Sequence, residues 1–393
     1  MSRISLVHLI TGTGTGGAEL MLERLVSRID RGSFDVRVIS LTGVGEVGER
    51  MRLAATAVEG AGLRRGRLDP RAPWIVAGML RGCADVVQTW MYHADLIGGF
   101  AARLAGRIPV AWNIRHSTLD PSRDRRTTIL TARACALLSR AVPQAIVCCS
   151  NASKQTHERL GYDASKMIVI PNGFDTERFS PDPGARGRIR AELGIDPSAA
   201  VVGLVARLHP QKDHGTFLRA AGILLARRPG TRFVLCGEGV IPSDPSLARL
   251  LRDTGTGEAA LLLGRRDDIS ALQAAFDVGA SSAVGGEGFP NVIAEAMACG
   301  VPCVVTDVGD SEEIVGDTGI VVPAGDPEAL AAGWERILSM PQAERARLGL
   351  AARGRIEERF DLASVTARYE ELYRRLAAAG RRAAPRSTRP AAR

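Results

Sequence analysis

Aromatic residues make up only 4% of the 393-residue chain, and no stretch interleaves them with basic residues. That removes the stacking platform on which single-stranded nucleic acid is held, so nucleic acid is not expected as a partner. Lysine is nearly absent: of 51 basic residues only Lys154, Lys166 and Lys212 are lysines, and the rest are arginines. The net charge of +8 still favours anions, which leaves anionic lipid or a polyphosphate ligand. No run reaches the roughly 18 to 20 unbroken apolar residues of a membrane span. The opening MSRISLVHLI lacks a signal-peptide cleavage pattern and reads as a first strand, so a cytoplasmic location is expected. Seven cysteines are an odd number, fit no zinc spacing, and read as reduced thiols. No paired aspartates stand at a plausible strand end, so neither a metal nor another cofactor is expected.

What is present is a strand–helix rhythm that runs through the chain twice. At this length two domains are the natural expectation. A buried-type strand, 4–10, enters a glycine loop, 11–19, in which Gly12, Gly14 and Gly17 satisfy G-x-G-x-x-G. A dinucleotide site needs an acid at the end of the next strand to hold a ribose. That strand ends Ser40-Leu41-Thr42, which argues against NAD, although bare amides at a helix start still suit a phosphate. Further strands are expected at 85–89, 110–114, 145–150 and 167–170. His116 stands just past the strand 110–114, at the end where open α/β sheets bind ligands; His93 has a weaker case near another strand end. Residues 119–142 set Arg123, Arg125, Arg126, Arg133 and Arg140 beside leucines. Two explanations stay open there: a core helix with a solvated basic face, or a surface facing anionic lipid. SPDPGARGR, 180–188, has linker composition.

The second half carries the sharper chemistry. Arg207 and Lys212 lie on the loop between a strand, 200–204, and a helix, 215–226, where two cations could neutralise a diphosphate. Residues 287–300 read EGFPNVIAEAMACG. Pro290 suits a first helical turn, and Gly300 suits the C-terminal stop. The first-turn amides of Asn291 and Val292 face outward from the positive end of the helix dipole and can receive a phosphate. Glu295, one turn further, and Glu287, on the preceding loop, can each accept hydrogen bonds from sugar hydroxyls.

The two glutamates with FPN between them resemble the signature of retaining glycosyltransferases of the GT-B fold, most closely family 4. Gly16-Gly17-Ala18-Glu19, VIPNGFD at 169–175 and the Arg207–Lys212 spacing resemble other parts of the same pattern. Ala206 and Asp213-His214 depart from it. The resemblance implies an α/β fold, GT-B, with two doubly wound Rossmann-like domains facing a central cleft. It implies an acceptor-binding domain, 1–178, a nucleotide-sugar domain, 188–358, and a helix, 359–379, crossing back to the first domain. The Arg-, Ala- and Pro-rich composition of 380–393 reads as a disordered basic tail. The implied activity is retaining, metal-independent transfer from a UDP-sugar, favoured over a GDP-sugar, to a glycan or lipid-linked acceptor. Glu287 and His116 would act at the donor sugar. Gly16, Gly17, Arg207, Lys212, Gly288, Phe289, Pro290, Asn291, Val292 and Glu295 would bind the donor. Arg265, Asp267 and Ile269 would border the nucleobase. Peripheral contact with an anionic membrane through 123–140, at its inner face, goes with a lipid-linked acceptor. A sugar-nucleotide epimerase of the same shape and a non-catalytic nucleotide-sugar binding protein remain as alternatives. A glycoside hydrolase would leave Arg207 and Lys212 without a role.

Overall fold

The computed structural model describes residues 3–64, 69–119 and 125–383. The chain forms two compact units: residues up to Gly173 joined by those from Leu362 on, and Phe174–Asp361.

The first unit is built on β1 (Ile4–Ile10), β2 (Phe34–Ser40), β3 (Ala57–Gly60), β4 (Val86–Trp90), β5 (Val110–Ile114), β6 (Ala145–Cys148) and β7 (Met167–Val169). All pair in parallel, in the order β3-β2-β1-β4-β5-β6-β7. Near-continuous Val, Ile and Leu suit strands buried on both faces. Met21, Leu22, Leu25, Tyr369 and Tyr373 pack on one face; Val76, Leu80, Ala101 and Cys135 pack on the other. The terminal helix, Leu362–Ala383, is thus part of this unit's core. Tyr373 donates to Gln88, and Tyr369 receives Arg115 at 3.2 Å. Residues 380–383, read as the start of a disordered tail, continue this helix; the remainder of that stretch lies outside the described residues.

The second unit is built on β8 (Val201–Val205), β9 (Arg232–Cys236), β10 (Ala260–Leu262), β11 (Val278–Ser281), β12 (Cys303–Thr306) and β13 (Ile320–Val322). The parallel order is β10-β9-β8-β11-β12-β13. Phe217, Phe233 and Trp334 meet in its core, with Phe217 and Trp334 ring centroids 5.0 Å apart.

The stretch read as a linker is largely not one. Asp182 accepts from the Ala185 amide and Pro183 follows it, so a helix runs Pro183–Glu192. The units divide at Gly173 rather than 178, and the second begins well before 188. Arg186 and Arg190 on that helix clamp Asp277, at 2.7 and 2.8 Å, just before β11.

One buried carboxyl makes the first unit sensitive to pH. Asp95, fully buried, accepts from the Thr89 hydroxyl at 2.5 Å. Burial pushes its pKa up to about 7, against the lowering effect of Thr89. The folded chain keeps this proton up to about pH 7, whereas the unfolded chain releases it near 3.8. The group's contribution to stability is therefore full below the lower value and lost as pH rises to the higher one. Asp95→Asn should remove that loss. Urea melts at pH 5 and pH 8 should show the variant gaining on the wild type by a few kcal/mol at the higher pH. Buried His8 and His157, held down to about 3 and about 4 chiefly by burial, act oppositely in acid, so the difference between the two chains is the informative quantity.

Candidate active site

In the second sheet chain order reverses between β8 and β11, which are neighbours. Their C-terminal ends flank the crevice where open α/β sheets bind ligands. The loop after β8 carries Arg207 and Lys212, and the loop after β11 carries Glu287. Val284 N–H donates to Gln211 C=O at 2.9 Å, and Ser282 Oγ donates to Lys212 C=O at 2.8 Å, binding the two loops together.

That brings Lys212 Nζ into an ion pair with Glu287 Oε1, both side chains mostly buried. Burial, then the Arg207 guanidinium, push Lys212 down to about 8, while the Glu287 carboxylate pulls the other way. Lys212 therefore stays cationic at neutral pH. Arg207 itself is exposed, and it lies close enough to help burial lower the His209 pKa as well.

The departure at Asp213-His214 has a structural account. A 3-10 turn, Pro210–Lys212, ends on Asp213 with φ +44°, in the left-handed region that non-glycine residues rarely enter. Asp213 then caps the helix His214–Arg227, accepting from Thr216 N–H at 3.0 Å and Thr216 Oγ1 at 2.5 Å. The capped helix start fixes the direction from which Lys212 leaves the backbone.

The Glu287 loop is held from two further sides. Phe289 is buried, its ring stacked on Phe174 at 5.9 Å and set edge-on to Phe360 at 5.3 Å. Its side chain is thus an anchor, and only its backbone could serve a ligand. Gly309 has φ +64°, and a Cβ there would stand 2.2 Å from the Glu287 carbonyl oxygen. Only glycine fits that position, a constraint absent from the sequence reading of 287–300. Gly237 is the corresponding fit for the other loop: a Cβ would meet the Ala206 carbonyl oxygen at 2.1 Å and the Arg207 nitrogen at 2.8 Å.

Helix Asn291–Ala298 begins at Pro290, which occupies the N-cap rather than the first turn, and no side chain caps it. Glu295 is buried on this helix, and Asn291 and Val292 are partly exposed at its start. Gln273 holds the Val292 carbonyl at 2.9 Å. In the loop after β10, Arg265 and Asp267 are exposed and 3.7 Å apart, and Ile269 opens a short helix. Between them Arg266 is committed to Glu192 and Asp268, each at 2.6 Å.

In the first unit the reversal falls between β1 and β4. Gly16 is the N-cap and Gly17 the first residue of the helix Gly17–Arg28, again without a side-chain cap. His116 is half-buried past β5, its Nδ1 against the Thr118 carbonyl. A carbonyl only accepts, so Nδ1 carries the proton and Nε2 is the acceptor nitrogen of the neutral ring. Helix Asn151–Leu160 fixes this loop through residues that sequence reasoning missed. Ser153 Oγ donates to His116 C=O at 2.8 Å and Thr156 Oγ1 to Ser117 C=O at 2.7 Å. His157 Nδ1 meets Ser153 C=O at 2.7 Å, and its Nε2 takes the Tyr92 hydroxyl at 2.8 Å. The legible signal was hydroxyls three apart on one helical face. His93 is partly buried on the helix Tyr92–Leu104, and burial lowers its pKa.

Comparison with known proteins decides the family. Residues 15–178 match the family described as Glycosyltransferase Family 4, and residues 199–340 match Glycosyl transferases group 1. The chain belongs to the family 4, group 1 glycosyltransferases. It is 30% identical over 234 residues to an Escherichia coli UDP-Gal:alpha-D-GlcNAc-diphosphoundecaprenol alpha-1,3-galactosyltransferase, covering 59% of this chain and 60% of that protein. It is 34% identical over 194 residues to a GDP-mannose-dependent alpha-(1-6)-phosphatidylinositol monomannoside mannosyltransferase of Mycolicibacterium smegmatis, covering 47% of this chain and 50% of that one. The crystal structure of Anabaena Alr3699/HepE in complex with UDP superposes with a TM-score of 0.83 at 24% identity, over 95% of this chain and all of that one. The fold is GT-B. Among the described residues no group of three or more His, Cys, Asp or Glu could hold a metal ion, and no helix is long and apolar enough to cross a membrane.

Proposed function

We propose that this glycosyltransferase moves a sugar from a nucleotide-diphosphate donor to a glycan or lipid-linked acceptor with retention of anomeric configuration. The observation that carries the reading is the Lys212–Glu287 pair beside Arg207, seated where the second sheet reverses order. Breaking the anomeric C–O bond sends negative charge onto the departing diphosphate. Lys212, Arg207 and the amides of Asn291 and Val292 would absorb it without needing a metal, from positions fixed beforehand. Glu287 would orient the donor sugar, and Glu295 would hold the nucleotide ribose. The backbone at Gly288, Phe289 and Pro290 would shape the phosphate cradle. Arg265, Asp267 and Ile269 would border the base. From the first unit, His116 Nε2 would accept from the donor sugar, and Gly16-Gly17 would offer backbone to phosphate. A UDP donor is favoured over GDP; the relatives' names include both.

Product analysis tests this directly. Enzyme incubated with UDP-sugars and GDP-sugars, with and without a lipid-diphosphate sugar acceptor, should give acceptor-dependent product and free nucleotide diphosphate. Proton NMR should show the donor's anomeric configuration kept, and EDTA should leave the rate unchanged. Turnover of donor to an isomer without acceptor would mark an epimerase, and binding without turnover a carrier protein.

A further inference from the structure

Six of the nine exposed large hydrophobic residues among those described lie on three helices of the first unit. Helix Ala72–Leu80 turns Trp74 and Ile75 outward, 61% and 39% exposed, between exposed Arg71 and Arg81. Helix Tyr92–Leu104 turns out Phe100 and Leu104, interleaved with Arg103 and Arg107. Helix Arg126–Leu138 turns out Leu130 and Leu137, 63% and 84% exposed, interleaved with Arg126, Arg133 and Arg140. Along the third helix and into the turn after it, 126, 130, 133, 137 and 140 alternate spacings of four and three, which makes a single outward stripe.

The first of these helices packs on the second, and the second on the third. The three helices therefore share one layer over one face of the first sheet. Across 71–81, 92–107 and 125–142 the sole acidic residue is Asp95, and it is buried. Scattered exposed leucines need no explanation, but a grouped apolar surface studded with one sign of charge does. A second copy of this chain would bring arginine against arginine. Asp69 pairs with Arg71 at 3.4 Å and Asp163 lies near Arg140, so the face is predominantly cationic. A surface that alternates guanidinium with Trp, Phe, Ile and Leu is complementary to anionic headgroups lying over an acyl boundary.

We propose that this arginine–apolar face docks the first unit on an anionic bilayer. It extends over three helices, well beyond the single arginine-rich stretch visible in the sequence; Arg123 of that stretch lies outside the described residues. Guanidinium groups would pair with lipid phosphates, and the apolar side chains would enter the headgroup layer. Docking stands apart from the transferase reading and can succeed or fail without it.

Trp74 is a built-in reporter, because Trp90, Trp112 and Trp334 are fully buried. The full-length protein should sediment with vesicles of equal parts phosphatidylglycerol and phosphatidylcholine, with a blue shift of tryptophan emission. It should not sediment with phosphatidylcholine alone, and about 0.5 M salt should release it. At about fivefold per arginine, the double substitution Arg133→Gln, Arg140→Gln should weaken binding roughly 30-fold. Leu137→Ser should weaken it as well, and Trp74→Phe should abolish the blue shift while sedimentation persists. All four positions are exposed, so melting temperatures should match the wild type. The proposal is overturned by no sedimentation, by equal sedimentation with neutral vesicles, or by indifference to the arginine substitutions. A dimer that these substitutions dissolve, without any vesicle binding, would overturn it too.

Discussion

Lys212→Ala is expected to lower kcat by roughly 10²–10³-fold, about 2.7–4 kcal/mol of barrier, as for removal of one preorganised donor. The side chain stands at the reversal of the second sheet, paired with Glu287 and close to Arg207. It is cationic at neutral pH and already partly stripped of water, so little reorganisation is needed as charge grows on a leaving phosphate. Its pKa of about 8 also sets a pH signature. The free enzyme loses the charge as pH rises through that value, so kcat/KM for the donor should fall on an alkaline limb near pH 8. Glu287→Gln removes the carboxylate that opposes the downward shift and should move this limb to lower pH. Steady-state kinetics between pH 6 and 9.5 on the wild type and the two variants check these statements. A Lys212→Ala enzyme with wild-type kcat would remove Lys212 from the mechanism.

Asp277→Ala should destabilise the second unit by about 3–5 kcal/mol, the usual cost of breaking one partner out of a buried ion pair. Its carboxylate takes Arg186 at 2.7 Å, Arg190 at 2.8 Å and the Val201 amide at 2.8 Å. Burial alone would raise its pKa, but the two guanidiniums and that amide outweigh it and hold the carboxyl below its ordinary value. The stability it contributes is present above the ordinary carboxylate pKa and lost in acid. Removal leaves Arg190, only 2% exposed, without its charge partner, and leaves the carbonyls of Ala275 and Phe276 still holding the helix Pro183–Glu192. Urea unfolding followed by far-UV circular dichroism should show the drop. A loss below about 1 kcal/mol would mean that backbone carbonyls alone satisfy the two arginines.

The strand–helix rhythm was legible because parallel strands buried on both faces read as near-continuous apolar runs; β1, β5 and β8 are of this kind, with Ser5, His8 and Asn113 the polar exceptions. The Arg207–Lys212 and 287–300 segments were legible because their chemistry is local. The helix at 183–192 was not, since Pro, Gly and Arg have linker composition and the partners that hold it, Asp277 among them, are distant in sequence. Gly309 and Ser153 were missed for a related reason. Each acts on a loop far away in sequence, Gly309 by leaving room for the Glu287 carbonyl and Ser153 by tying down His116. The burial of the Phe289 ring was not legible either, because a motif gives residue types and not which way a ring turns.

Titration calorimetry with UDP, and with GDP in parallel, tests the diphosphate site most directly. The wild type should bind one nucleoside diphosphate per chain, Lys212→Ala should bind it at least tenfold more weakly, and Glu287→Gln should retain it. No binding of either nucleotide by the folded wild type, or equal affinity in Lys212→Ala, would contradict a diphosphate site at Lys212.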